Sequence, residues 1–212
     1  MEDTLKDILL NVNEWLKFAE AKNAALIALN LGSIFGATTT ITQSQHEIPQ
    51  LILYYLYSFI LLNGLGLFIS LFSFWPQFHE ETLGKKIEDI VFPKKLRVKP
   101  SLLYYGLIRD YDPDMYLAKL CEFCKKEVDK CSSLELDYAN QIVISSKITF
   151  RKYIYFKAAL ICTISAMLTP VILILSALLF KTTDYIIMEQ YKKSLVPLTI
   201  FIISSIIIWK LF

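Results

Sequence analysis

Glycine and histidine are scarce, at six and two in 212 residues. The chain has no Walker loop, glycine-rich phosphate cradle, His-Glu-x-x-His pair or Gly-x-Ser-x-Gly elbow. Those catalytic constellations are excluded, and the chain reads as a non-enzyme with no cofactor. His46 and His79 are isolated at the edges of apolar blocks and read as interfacial polar residues, not ligands. Cysteine is limited to Cys121, Cys124, Cys131 and Cys162. The first pair has Cys-x-x-Cys spacing, but no histidine or further cysteine is near enough to complete a tetrahedral zinc site. Leu117, Cys121, Cys124, Val128 and Cys131 recur at helical spacing, so these thiols read as small hydrophobes on one apolar stripe. Asp110, Asp112 and Asp114 alternate without the glycine of an EF-hand, and Asp112 suits an N-cap before Pro113. No metal is expected. Residues 1–20 mix acids and bases and lack the apolar core of a signal peptide. Internal repeats and low-complexity stretches are also missing.

Apolar side chains are abundant, and they are segregated. Hydrophobic residues make up 55% of the chain and the mean hydropathy is +0.45. They gather in blocks at 24–42, 51–75, 158–180 and 195–212, with no charge except Lys210, which can snorkel from the chain end. A bilayer is crossed by about 20 apolar residues, so the sequence predicts four transmembrane helices. Of the 22 Lys and Arg, 15 lie in residues 77–157, none in 43–50 and three in 181–194. The positive-inside rule then places 77–157 and both termini in the cytoplasm. Leu5, Ile8, Leu9, Val12, Trp15, Leu16 and Ala19 form a helical stripe with no breaker before the first block. Residues 133–157 run equally unbroken into the third. The expected fold is an all-α membrane protein with a small cytoplasmic helical domain between spans two and three. Its stalk helices are continuous with spans one and three. Residues 1–76 form the N-terminal stalk and transmembrane hairpin, 77–157 the cytoplasmic domain, and 158–212 a C-terminal transmembrane hairpin.

The spans carry no acid or base except Lys210, which disfavours proton-coupled transport and suits helix packing or a weakly selective pore. Ala24, Ala28, Gly32 and Gly36 lie four apart, and small residues at that spacing let membrane helices approach closely. Asn30 lies two residues from this stripe and Asn63 near the middle of the second span; each can hydrogen-bond across an interface. Ala28, Asn30, Gly32, Gly36 and Asn63 are thus the candidates for packing or for lining a pore, in a homo-oligomer embedded in lipid. In the cytoplasmic segment, Lys99, Tyr104, Tyr105, Arg109, Lys147, Arg151 and Lys152 offer cations for phosphate and rings for a base. "FRKYIYFK" also sits where interfacial anchors are expected, so anchor and ligand readings both stand there.

Several stretches together resemble the membrane effectors of Pycsar antiphage systems, the PycTM family. They are "WLKFAEAKNAALIALN", "SFWP", "KPSLLYYGLIRDYDPDMYLAKLC" and "LDYANQIVISSKITFRKYIYFKAAL". Members typically show an aromatic-Ala-Asp-x-Lys-Ala run leading into the first span and an asparagine about eight residues after the lysine. Here these positions read Phe18, Ala19, Glu20, Lys22, Asn23 and Asn30, with Glu for the common Asp and Asn for the common small residue. A Tyr-Phe-Gly-like element corresponds to Tyr104, Tyr105 and Gly106, and a later element to Ile148, Lys152 and Tyr153. The resemblance covers about residues 15–163 and leaves the fourth block unmatched. It implies a bacterial inner-membrane effector of antiviral defence. A cyclic nucleotide second messenger, cyclic CMP or cyclic UMP, would activate it to impair the membrane and cause abortive infection. Tyr104, Tyr105, Arg109, Arg151 and Lys152 are the candidate ligand residues, and no nucleic acid partner is expected. The alternative is a constitutive channel or structural membrane subunit with no nucleotide gating.

Overall fold

The structure is a computed structural model that describes residues 1–43, 48, 50–75, 101–125 and 131–179, and all their side chains but those of 50, 51 and 169–179. The expected fourth span, the basic stretch 92–100 with the candidate Lys99, and Val128 lie outside the described residues. Among those described, every regular element is helical: α1 (Glu2–Gln43), α2 (Gln50–Phe72), α3 (Tyr105–Ile108), α4 (Pro113–Phe123) and α5 (Ser133–Leu179).

The two long helices follow from the sequence. No proline or glycine interrupts α1 before Gly32, and α5 runs through Pro170 without ending. At 1.5 Å per residue, their 42 and 47 residues extend about 60–70 Å. That is roughly twice the 30 Å of a hydrocarbon core, so each helix has length to spare beyond a span. The start of α5 is fixed by a capping box. The Glu135 amide donates to Ser132 Oγ at 3.3 Å, and the Ser132 amide donates to Glu135 Oε2 at 3.0 Å. At the start of α4, Asp112 takes the N-cap position with Pro113 behind it, but its side chain makes no capping bond; the Asp112 carbonyl accepts from the Tyr116 amide. The expected cysteine stripe is only partly formed. Cys121 is buried with Leu117, whereas α4 stops at Phe123 and leaves Cys124 exposed, because helical spacing fixes no direction past a helix end.

Two compact units share these helices. The first comprises Met1–Asn23 and Pro76–Tyr155, the second Ala24–Trp75 and Phe156–Phe212. Leu5, Ile8 and Val12 of α1 pack in the first unit with Tyr105, Ile108, Tyr116, Leu120, Ala139, Ile142 and Val143. Tyr116 is fully buried and satisfies its hydroxyl by donating to the Leu102 carbonyl at 2.8 Å.

The second unit has the opposite polarity. Leu29, Leu31 and Phe35 of α1, and Leu61, Leu65, Phe68 and Leu71 of α2, are exposed. Asn30, Asn63, Ser70, Thr163 and Ser165 are buried. A fold in water would reverse this arrangement, since exposing large apolar chains and burying polar ones costs free energy on both counts. Among the described residues two helices, Glu2–Gln43 and Ile52–Phe72, are long and apolar enough to cross a membrane, and only 22% and 17% of their apolar stretches is buried inside the chain. A soluble core helix of that composition would be mostly buried. These helices have the length, composition and exposure of membrane spans, with the polar side chains of the second unit turned inward.

Candidate functional site

In the first unit the ligand candidates gather on one turn of α5. Tyr153 stacks on Tyr105 with ring centroids 5.6 Å apart and planes 19° from parallel. Tyr105 also meets Tyr104 at 4.8 Å and Trp15 at 5.7 Å. Tyr105 is buried and Tyr104 exposed, so the two neighbours offer one structural ring and one accessible ring. Gly106 makes that arrangement possible: a Cβ there would stand 2.6 Å from the Tyr104 ring. Burial, then the hydrogen bond and charge of Tyr104, push the Tyr105 phenol well up; burial, then the charge of Tyr104, also raises Tyr153. Both rings stay neutral at physiological pH and present no phenolate to repel an anion.

The cations of this cluster are already engaged. Lys152 Nζ lies 2.9 Å from Glu20 Oε1, with its side chain 14% exposed. Asn23 Nδ2 donates to the Ala19 carbonyl at 3.0 Å and to the Lys152 carbonyl at 3.2 Å. Lys22 Nζ stands 4.4 Å from the Phe18 ring centroid and 5.4 Å from that of Tyr153. The Arg109 guanidinium lies on Phe150, 3.3 Å from the ring centroid, and its Nε donates to the Gly106 carbonyl at 3.2 Å. Arg151 is half-buried on the same turn. A cavity of about 260 Å³ elsewhere in this unit is lined by Leu9, Leu134, Asp137, Tyr138 and Gln141. One carboxylate and no cation suit it poorly to an anionic ligand, so the cluster around Lys152 is the better candidate.

The membrane candidates separate into two faces. Ala24, Ala28, Gly32 and Gly36 are exposed, and a Cβ on Gly32 or Gly36 would meet nothing within 4 Å. Among the described residues, the two glycines of the small-residue stripe therefore make no close contact. Asn30 points the other way and is fully buried, its Oδ1 accepting from the Thr163 hydroxyl at 2.9 Å. The interface that Asn30 bonds across is thus one between helices of the same chain. Gly66 of α2 closes on this pair: a Cβ there would lie 3.1 Å from Asn30 Nδ2, 3.1 Å from Thr163 Oγ1 and 3.2 Å from the Ala159 carbonyl. Asn63 donates from Nδ2 to the Phe59 carbonyl at 2.8 Å. Asn30 Nδ2, Asn63 Oδ1, Ser70 Oγ and Ser73 Oγ find no hydrogen-bond partner among the described residues. Each buried group left so costs about 1–3 kcal/mol.

Sequence reasoning missed the partnerships of Glu20 with Lys152, of Asn30 with Thr163, and of Gly66 with both. A usable signal was present, because Glu20, Lys22 and Asn23 mark the last charged turn before one apolar block, and Lys152 and Tyr153 lie just ahead of another, which begins after Lys157. Residues 4–180 match the PycTM family, described as the Pycsar effector protein domain. No curated protein and no solved structure matches the chain. The match spans the motif residues of α1, the Tyr104–Tyr105–Gly106 element and the paired turn of α5. The chain belongs to the PycTM family of Pycsar effectors.

Proposed function

We propose that this protein is a non-enzymatic, multi-pass effector of bacterial antiphage defence, activated by a cyclic pyrimidine nucleotide and impairing the inner membrane to cause abortive infection. The family match over residues 4–180 carries the reading. In it, the chain has four spans and cytoplasmic termini, and assembles as a homo-oligomer. The nucleotide binds at the tyrosine and cation cluster of the first unit. Its phosphate competes with Glu20 for Lys152, with Arg151 and Arg109 near the same turn, while the exposed Tyr104 ring receives the base. Phosphate binding and loss of the Glu20–Lys152 pair are then one event. A ligand shifts a conformational equilibrium only by its differential affinity, and inverting a 1:99 population takes about 5.5 kcal/mol. Several equivalent sites in an oligomer supply that more readily than one.

The test is a membrane-potential dye assay in cells that express the chain with a pyrimidine nucleotide cyclase. Depolarisation only with an active cyclase is the expected result. Arg109→Ala and Lys152→Ala should stay in the membrane and lose the response. Depolarisation without any cyclase would favour the constitutive reading, and an unchanged potential in every case would remove membrane impairment as the function.

A further inference from the structure

The inward side of α2 is unusual in being mostly polar or bare, with Leu62 its buried apolar side chain among the described residues. Asn63, Gly66, Ser70 and, just past the helix end, Ser73 are buried at spacings of three and four, while Leu61, Leu65, Phe68 and Leu71 face out. Helix packing alone explains part of this. Thr163 is paired with Asn30, and Gly66 permits the close approach. It does not explain the rest. Asn63 Oδ1, Ser70 Oγ, Ser73 Oγ and Asn30 Nδ2 have no partner among the described residues, and all four residues are at most 6% exposed. The orphans include acceptors and donors, and they are distributed over about three turns of α2 and the facing part of α1. Ordered water needs two to four polar partners at each position, and a file of such groups provides them. On the outer glycine face of α1 the exposed Thr40 hydroxyl donates to the Gly36 carbonyl at 3.0 Å, and no buried orphan lies there among the described residues.

We propose that the path for water and small ions in the activated state runs along this seam, inside the chain's own bundle of α1, α2 and α5, and not along the glycine face between subunits. The inference rests on the membrane-impairing function proposed above. The constriction is at Gly66, where the α2 backbone lies against Asn30 and Thr163, and opening consists of α2 withdrawing from that pair. All the lining groups are neutral, so the path selects weakly by charge.

Asn63→Leu and Ser70→Ala, singly and together, test this in cells making cyclic CMP or cyclic UMP from a co-expressed cyclase. Each removes orphan atoms, so the double variant should melt at higher temperature in detergent than the parent and lose the depolarisation. A second measurement uses Ser70→Cys in a Cys162→Ser background, treated with a small charged thiosulfonate and read at position 70 by peptide mass spectrometry. Labelling that rises when the cyclase is active supports the seam. A parent that depolarises, with a well-assembled double variant that depolarises equally and position 70 unlabelled, overturns the seam and leaves the function standing. A parent that never depolarises overturns both.

Discussion

Glu20 and Lys152 illustrate how single residues set the behaviour of the first unit. Their 2.9 Å pair is half-covered, with Lys152 at 14% and Glu20 at 44% side-chain exposure. Its worth lies between the near-zero of exposed pairs and the larger cost of breaking buried ones, so Glu20→Gln should destabilise by about 1–2 kcal/mol. If an anion competes for Lys152, the same change frees the cation and should lower the nucleotide concentration needed for half-maximal depolarisation. A loss of stability with an unchanged nucleotide requirement would leave the pair a purely structural one. The buried tyrosines give a second residue-scale expectation. Burial raises the phenols of Tyr105 and Tyr116 above the ordinary value of 10.0. The folded state therefore holds those protons more tightly than the unfolded state, and the unfolded chain gains by losing them above pH 10.0. The stability they support is complete below that pH and falls as pH rises beyond it. Thermal melts of the whole chain in detergent between neutral pH and pH 11 should show the decline, and Tyr105→Phe should make it shallower. Tyr116→Phe should do so too, at a constant cost of about 1 kcal/mol for the lost bond to Leu102.

Among the elements, α1 presents two opposite faces to two different tasks. Gly66→Val on α2 pushes against the inner one. The neighbouring Asn30 and Thr163 side chains can rotate, but the Ala159 carbonyl at 3.2 Å is backbone and cannot, so a loss of about 1–3 kcal/mol is expected. Gly32→Ala on the outer face meets nothing within 4 Å and should be neutral or stabilising within one chain, through helix propensity of up to about 1 kcal/mol. Gly32→Leu distinguishes the chain from its assembly. If the small stripe joins subunits, chemical cross-linking in membranes should show dimers and higher species reduced while the monomer remains folded. Unchanged cross-linking would assign that face to lipid.

For the whole molecule, the proposed topology is the most direct test. With 15 of 22 Lys and Arg in residues 77–157, that segment should stay inside. An impermeant thiol reagent added to intact cells should label Glu47→Cys and spare Glu88→Cys. Labelling at position 88 would reverse the orientation and put the Lys152 cluster on the wrong side for a cytoplasmic messenger. Much of this level was legible in the sequence. Uncharged blocks, unbroken periodic stretches before two of them, and Pro113 at a helix start correspond to α1, α2, α4 and α5. The Ser132 and Glu135 capping box was also readable, as a serine three residues ahead of a glutamate. The candidate site was legible as residue types only, since Tyr105, Arg109 and Lys152 are spread over the chain and their meeting at one turn of α5 is a product of folding.

The sequence by itself determined that the chain is helical, that its apolar blocks suit a bilayer, and where the helices leave that apolar register. It could not determine which face of α1 turns inward. In water the hydrophobic effect makes that choice, because polar side chains are driven out. In lipid the apolar face has no such drive inward while an unpartnered carboxamide is costly, so the choice falls to hydrogen bonds and close packing. Asn30 found Thr163, 133 residues away, and Gly66 let α2 close over them, which left the glycine stripe outside. Likewise Glu20 and Lys152 are 132 residues apart, and no local pattern distinguishes a cation that will be paired from one that will anchor. Only the tertiary structure decided both, because each depends on a partner from a distant helix.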